Sequence, residues 1–149
     1  MSLGHSITLT EVIFLSQRWA EIHSPEPGEA LISITDRRAP PAVLREGWPA
    51  VLRISFDDVD PIESPIEPGE DLVELTEQEA DRIAEFVVRE QHRVRSLVVH
   101  CRYGQSRSAG VAKAIAAAYR LAFPADYEYA NSFVHDRVLA ALLRRRGAG

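Results

Sequence analysis

The stretch VVHCRYGQSRSAG, residues 98–110, holds the chain's single cysteine. Cys101 ends an apolar, β-branched run, and after five intervening residues come Arg107 and Ser108. A free cysteine is usually a small buried hydrophobe, and it becomes a nucleophile only where its surroundings favour the thiolate. The surroundings here do so. A strand that turns through a short loop with Gly104 into a helix N-terminus points successive backbone N–H groups inward, and the helix dipole adds partial positive charge. Such a cradle fits a tetrahedral dianion, and the same field favours ionisation of Cys101. Arg107 can fold its planar fork back over the loop and hold two oxygens at once, which an ammonium group cannot do. A nucleophile and an oxyanion clamp share one loop.

HCRYGQSRS fits the pattern H-C-x-x-G-x-x-R-[S/T] at every defined position. In this it resembles the cysteine-dependent protein tyrosine phosphatases, and most of all their small, bacterial, dual-specificity-like members. The resemblance extends loosely over residues 30–145 in the order of elements. It implies a phosphoric monoester hydrolase in which Cys101 attacks phosphorus in line and forms a cysteinyl-phosphate intermediate. Arg107 and the N–H groups of Arg102, Tyr103, Gly104, Gln105 and Ser106 would hold the equatorial oxygens, splitting hydrolysis into two displacements. Ser108 would donate a hydrogen bond to the Cys101 sulfur and ease its departure in the second step. His100 would orient the loop through backbone hydrogen bonds rather than move a proton. Ser106, taken alone, reads as a helix N-terminal residue and no more.

A leaving alkoxide or phenoxide needs a proton, so a general acid must reach its oxygen. The family carries that acid as an aspartate on a loop just after an upstream strand. RISFDDVDP offers Asp57, Asp58 and Asp60. Aligned as the family aligns it, F-D-D makes Asp58 the acid, with Asp57 the alternative. Arg37 and Arg38 follow another strand, at the end of the sheet where substrate contacts gather, though exposed loop arginines are the commoner case. Asn131 lies where some relatives support the phosphate loop. The implied partner is a phosphorylated protein or a small phosphomonoester, and no cofactor is implied.

Other chemistries fit less well. A rhodanese-like sulfurtransferase has a shorter loop than the C-to-R span here. Low-molecular-weight phosphatases and related arsenate reductases place the cysteine near the N-terminus and the acid far downstream, the reverse of this order. GQSRSAGVAK lacks the Gly-Lys-Ser/Thr of a nucleotide-binding loop. A phosphate-binding pseudophosphatase, which docks phosphorylated partners without turnover, usually lacks the cysteine, the arginine or the aspartate, and all three candidates are present. A lone cysteine excludes cysteine-cluster metal sites, and His5, His23, His92 and His135 have no ligand-like spacing, so no metal is expected.

These residues need a scaffold. Residues 30–34, 50–56 and 96–100 read as buried strands, and a short strand is expected around Ile7. Leu9, Val12, Ile13, Ser16 and Ala20, with a capping box of Thr8 and Glu11, predict a helix over 9–21. Thr76 with Glu79 caps a helix over 77–91; 106–122 is apolar nearly all round and reads as a deeply packed helix; an amphipathic helix follows over 129–145. The Pro-rich, acidic 57–75 is a loop. Strands alternating with helices predict an α/β domain, a mostly parallel central sheet of four or five strands with helices on both faces, and a ligand site beyond the strands' carboxyl ends. Cys101 should sit one residue past its strand.

The 149 residues fit one domain, 1–149, and 46% hydrophobic against 26% charged residues suits a globular rather than a disordered chain. A net charge of −5 disfavours nucleic acid as partner, and Arg144–Arg146 read as the basic last turn of a helix. With no signal-like start and no apolar run of membrane-spanning length, a cytoplasmic protein without a membrane partner is expected.

Overall fold

The computed structural model describes residues 6–148; His5 lies outside them. Eight elements run β1 (Glu11–Ser16), α1 (Gln17–Ile22), β2 (Glu29–Thr35), β3 (Val51–Ser55), α2 (Glu77–Glu90), β4 (Ser96–Cys101), α3 (Arg107–Tyr119) and α4 (Ser132–Ala148). The four strands form one α/β sheet in the order β1-β4-β2-β3, parallel at every pairing. Every residue of the two central strands, β2 and β4, is buried. This is why both read as near-continuous apolar runs, as strands covered on both faces do.

Val12, Ala30, Ile32, Ile34, Ile54, Leu97 and Val99 point to one face and pack against α2, α3 and α4 through residues such as Ile83, Val87, Ile115, Val138 and Leu142. Burial of each large aliphatic side chain contributes about 1.5–3 kcal/mol. The alternate residues Leu31, Ser33, Val98 and His100 are equally buried on the other face. That face is covered by the short α1 and the segment 36–50. Glu21 of α1 accepts from the Val43 N–H at 2.8 Å, and Arg53 donates to the Ala42 carbonyl at 3.0 Å. The sheet therefore has three long helices on one side and one short helix on the other.

The capping box of α2 forms as expected, with the Thr76 hydroxyl accepting from Glu79 N–H and the Glu79 carboxylate accepting from Thr76 N–H, both at 3.1 Å. Helix α3 approaches α4 so closely that a Cβ on Gly110 would lie 2.7 Å from the Asn131 carbonyl oxygen. It stops at Tyr119, short of the expected residue 122, because Arg120 turns left-handed at φ +57. Helix α4 starts at Ser132 rather than 129.

The N-terminal segment departs from expectation. Residues 11–16 form β1 rather than the first turns of a helix, and only Gln17–Ile22 is helical. EVIFLS is β-branched and aromatic enough to pair, and the open edge of β4 supplies a full parallel register from Glu11 with Ser96 to Ser16 with Cys101. Thr8 caps nothing; its hydroxyl donates to the His92 carbonyl at 3.1 Å. Ser16 caps α1 instead, accepting from Trp19 N–H at 3.3 Å. No strand forms at Ile7, which is exposed.

Candidate active site

Cys101 is the last residue of β4, not the first beyond it, and Arg107 opens α3. Between them the loop 102–106 is shaped by contacts to its carbonyls. Gln17 N–H donates to the Arg102 carbonyl at 3.3 Å, and the N–H groups of Asn131 and Gly110 donate to that of Ser106 at 3.0 and 2.9 Å. The Tyr127 hydroxyl donates to the Gln105 carbonyl at 2.6 Å, and the His100 ring reaches the Cys101 carbonyl at 3.4 Å. In a trans peptide the C=O and the next N–H point opposite ways. Carbonyls of 101, 102, 105 and 106 held by the surrounding scaffold therefore turn the amides of Arg102, Tyr103, Ser106 and Arg107 to the loop's other side. Among the described residues no group accepts from the N–H of residues 103–108. The turn requires Gly104, whose φ is +70 and whose added Cβ would lie 2.4 Å from Ser16 N and 2.5 Å from Leu15 C.

The Cys101 sulfur is 3.1 Å from the Ser108 hydroxyl. The residue is 2% exposed and closes the top of the core, so its sulfur meets carbon below and the serine beside it. Arg107 is nearly as enclosed, at 4%. One of its terminal nitrogens, Nη1, donates to the Phe56 carbonyl at 2.8 Å and forms an ion pair with Asp36 Oδ1, also at 2.8 Å. Its Nε is buried with no partner among the described residues. An orphaned buried donor costs about 1–3 kcal/mol, so this nitrogen calls for a partner that the described residues do not supply. Asp36 also lies 3.6 Å from Arg102, so one carboxylate spans both ends of the loop.

His100 lies under the loop, fully buried, with Nε2 2.6 Å from the Ser33 hydroxyl. A carbonyl only accepts, so Nδ1 carries the proton toward Cys101 O and Nε2 accepts from Ser33. Burial is the chief cause that lowers the imidazole pKa to about 4, outweighing the hydrogen bond to Cys101. It is a neutral strut.

The three aspartates separate cleanly. Asp58 Oδ1 accepts from the Ser106 hydroxyl at 2.8 Å and from Asn131 Nδ2 at 3.1 Å, so this carboxylate is docked on the cysteine loop. Asp57 faces away: its carboxylate accepts from Arg37 N at 3.3 Å and Val73 N at 2.8 Å. Asp60 caps its own turn through Ile62 N at 3.1 Å and Glu63 N at 3.2 Å. Ser106 is therefore more than a helix N-terminal residue. It provides no side-chain cap to α3, and its hydroxyl donates to Asp58 instead.

Arg37 and Arg38 turn to Asp57 and Asp71. Arg102 and Tyr103 are exposed on the loop, and Gln105 contributes a carbonyl hold. Asp36, Ser33 and Tyr127 were not legible from sequence, since each acts through a partner distant in the chain. Asp36 follows the second strand directly, and that position at the strand ends was its one available signal. Among the described residues no group of three His, Cys, Asp or Glu gathers as metal ligands, and no helix is long and apolar enough to cross a membrane. No protein-family model matches the chain, and no curated protein matches its sequence.

Proposed function

We propose that the chain is a cysteine-dependent phosphoric monoester hydrolase of the protein tyrosine and dual-specificity phosphatase type, acting on a phosphorylated protein or a small phosphomonoester. One observation carries this reading: Cys101, the buried Arg107 with its unpartnered Nε, and Asp58 all converge on a single loop. In the first step the Cys101 thiolate attacks phosphorus and the ester P–O bond breaks, with Asp58 giving its proton to the departing oxygen. Arg107 Nε and the inward amides hold the non-bridging oxygens, where charge is carried throughout. In the second step water attacks phosphorus, Asp58 takes its proton, and the S–P bond breaks. The Ser108 hydroxyl stabilises the sulfur as it leaves. A hollow of ≈ 280 Å³ opens beside Asp58, lined also by Asp60, Ser64 and Glu70.

Release of phosphate from para-nitrophenyl phosphate tests the reading. Wild type should turn over, Cys101→Ser should not, and Asp58→Asn should lose about 10²–10⁴-fold, the usual worth of a positioned acid. Equal release by wild type and Cys101→Ser refutes the assignment. Phosphate binding without any release by wild type leaves a binding module in its place.

A further inference from the structure

The segment 57–73 leaves β3 and returns to the same point, so its two limbs lie side by side at a neck. Asp57, Val73 and Asp71, with Arg37 and Arg38, hold that neck together. Asp57 N–H donates to the Val73 carbonyl at 2.8 Å. The Asp57 carboxylate accepts from Val73 N–H at 2.8 Å and from Arg37 N–H at 3.3 Å. The Arg37 guanidinium then reaches across both limbs: Nε lies 3.8 Å from Asp57 Oδ2, while Nη2 donates to the Asp71 carbonyl at 3.3 Å and pairs with the Asp71 carboxylate. Arg38 pairs with the same carboxylate. Beyond the neck the loop holds itself, with Ser64 N–H on Asp60 O at 2.9 Å and Glu67 N–H on Glu70 Oε1 at 2.8 Å. It behaves as a compact flap whose attachment is set at one place. Asp58 is the residue next to that place.

We propose that Arg37, acting through Asp57 and Asp71, is a positioning residue for proton delivery: it latches the neck of the 57–73 flap and so fixes where the Asp58 carboxylate stands relative to the Cys101 loop. This rests on the phosphomonoester hydrolase reading above. Among the described residues no hydrogen bond or ion pair joins Arg37, Asp57 or Asp71 to the anion cradle, whose arginine is held by their chain neighbours Phe56 and Asp36. Loosening the neck therefore degrades protonation of the leaving group and leaves attack by sulfur alone. An error of about 1 Å in a reacting group can cost on the order of 10²-fold, and the cost falls only on substrates that need the proton. Dinitrophenolate leaves without one. Phenolate does not.

The experiment compares kcat and KM for dinitrophenyl phosphate and phenyl phosphate in wild type, Asp58→Asn, Arg37→Met, Arg37→Lys and Asp71→Asn. Arg37→Met should lower kcat on phenyl phosphate by about tenfold, part of the full loss of the acid in Asp58→Asn, with KM and dinitrophenyl turnover within about twofold of wild type. Arg37→Lys should recover part of the loss, because it keeps the charge but not the fork. Asp71→Asn removes the carboxylate charge that pairs with Arg37 and Arg38 and should move phenyl phosphate turnover in the same direction, which keeps the test intact if Arg37→Met folds poorly. An inactive wild type overturns both this inference and the hydrolase reading. An active wild type in which Asp58→Asn steepens the leaving-group dependence while Arg37→Met and Asp71→Asn slow both substrates equally, or neither, overturns the latch alone.

Discussion

Gly104 is the residue on which the Cys101 loop turns. Its left-handed φ and the 2.4 Å approach of a would-be Cβ to Ser16 N leave no room for alanine. Gly104→Ala should cost about 1–3 kcal/mol or force the loop off β1, read as a lowered thermal midpoint together with loss of phosphate release; a variant with wild-type values for both would contradict the tight turn. His100 makes a second, pH-dependent statement. Its pKa is lowered to about 4 in the folded chain against about 6.5 when unfolded. Between these values the unfolded chain binds the proton and the native chain does not. Stability from this group is therefore complete above about pH 6.5 and is lost as pH falls toward 4, by on the order of 3 kcal/mol. Urea melts at pH 7 and pH 4.5 should show the fall in wild type and much less of it in His100→Asn; parallel pH dependence in the two would remove the buried imidazole as its cause. The sequence made Cys101, Gly104, Arg107 and Ser108 legible because one loop sets all four within eight residues. Asp58 could be chosen over Asp57 only by alignment. What separates them physically is that one meets Ser106 and the other Val73, contacts that no spacing along the chain reveals.

At the level of elements, α4 and the flap meet at Asn131. This side chain caps α4, its Oδ1 accepting from Val134 N–H at 3.1 Å, while its Nδ2 donates to Asp58 and to the Val59 carbonyl at 3.0 Å. The two duties can be separated. Asn131→Ser keeps an oxygen for the cap but removes the flap's donor to Asp58, whereas Asn131→Ala loses both. Thermal melts should place Asn131→Ser above Asn131→Ala by about 1 kcal/mol, while both slow phenyl phosphate hydrolysis. Equal melting losses with unchanged turnover would reduce Asn131 to a cap. Elements whose information is local were readable: α2 carries its own capping box, and β2 and β4 are unbroken apolar runs. The segment 9–21 was misread because Leu9, Val12, Ile13, Ser16 and Ala20 recur at helical spacing while the deciding partner, β4, lies some eighty residues on. Periodicity could not weigh a strand edge waiting to be paired.

For the molecule as a whole, an oxyanion in the loop should act as a staple, since it would engage amides of the loop, the start of α3 and Arg107 at once. A ligand at 100 times its dissociation constant adds about 2.7 kcal/mol to folding stability. Tungstate should accordingly raise the melting temperature of wild type and of Cys101→Ser, and should do so far less in Arg107→Lys, whose ammonium cannot present a planar fork. An identical rise in all three would mean that the ion binds elsewhere. The α/β architecture with its parallel sheet was legible from alternating strand and helix patterns, but the order β1-β4-β2-β3 was not, because no local signal says which strands are neighbours. That order has a consequence for the chain as it leaves the ribosome. The first two strands are never adjacent, and the groove between them stays open until residues 96–101 have been synthesised. A truncated product ending before them would expose two unpaired apolar edges to chaperones or to other nascent chains, and it would lack the chain's one cysteine.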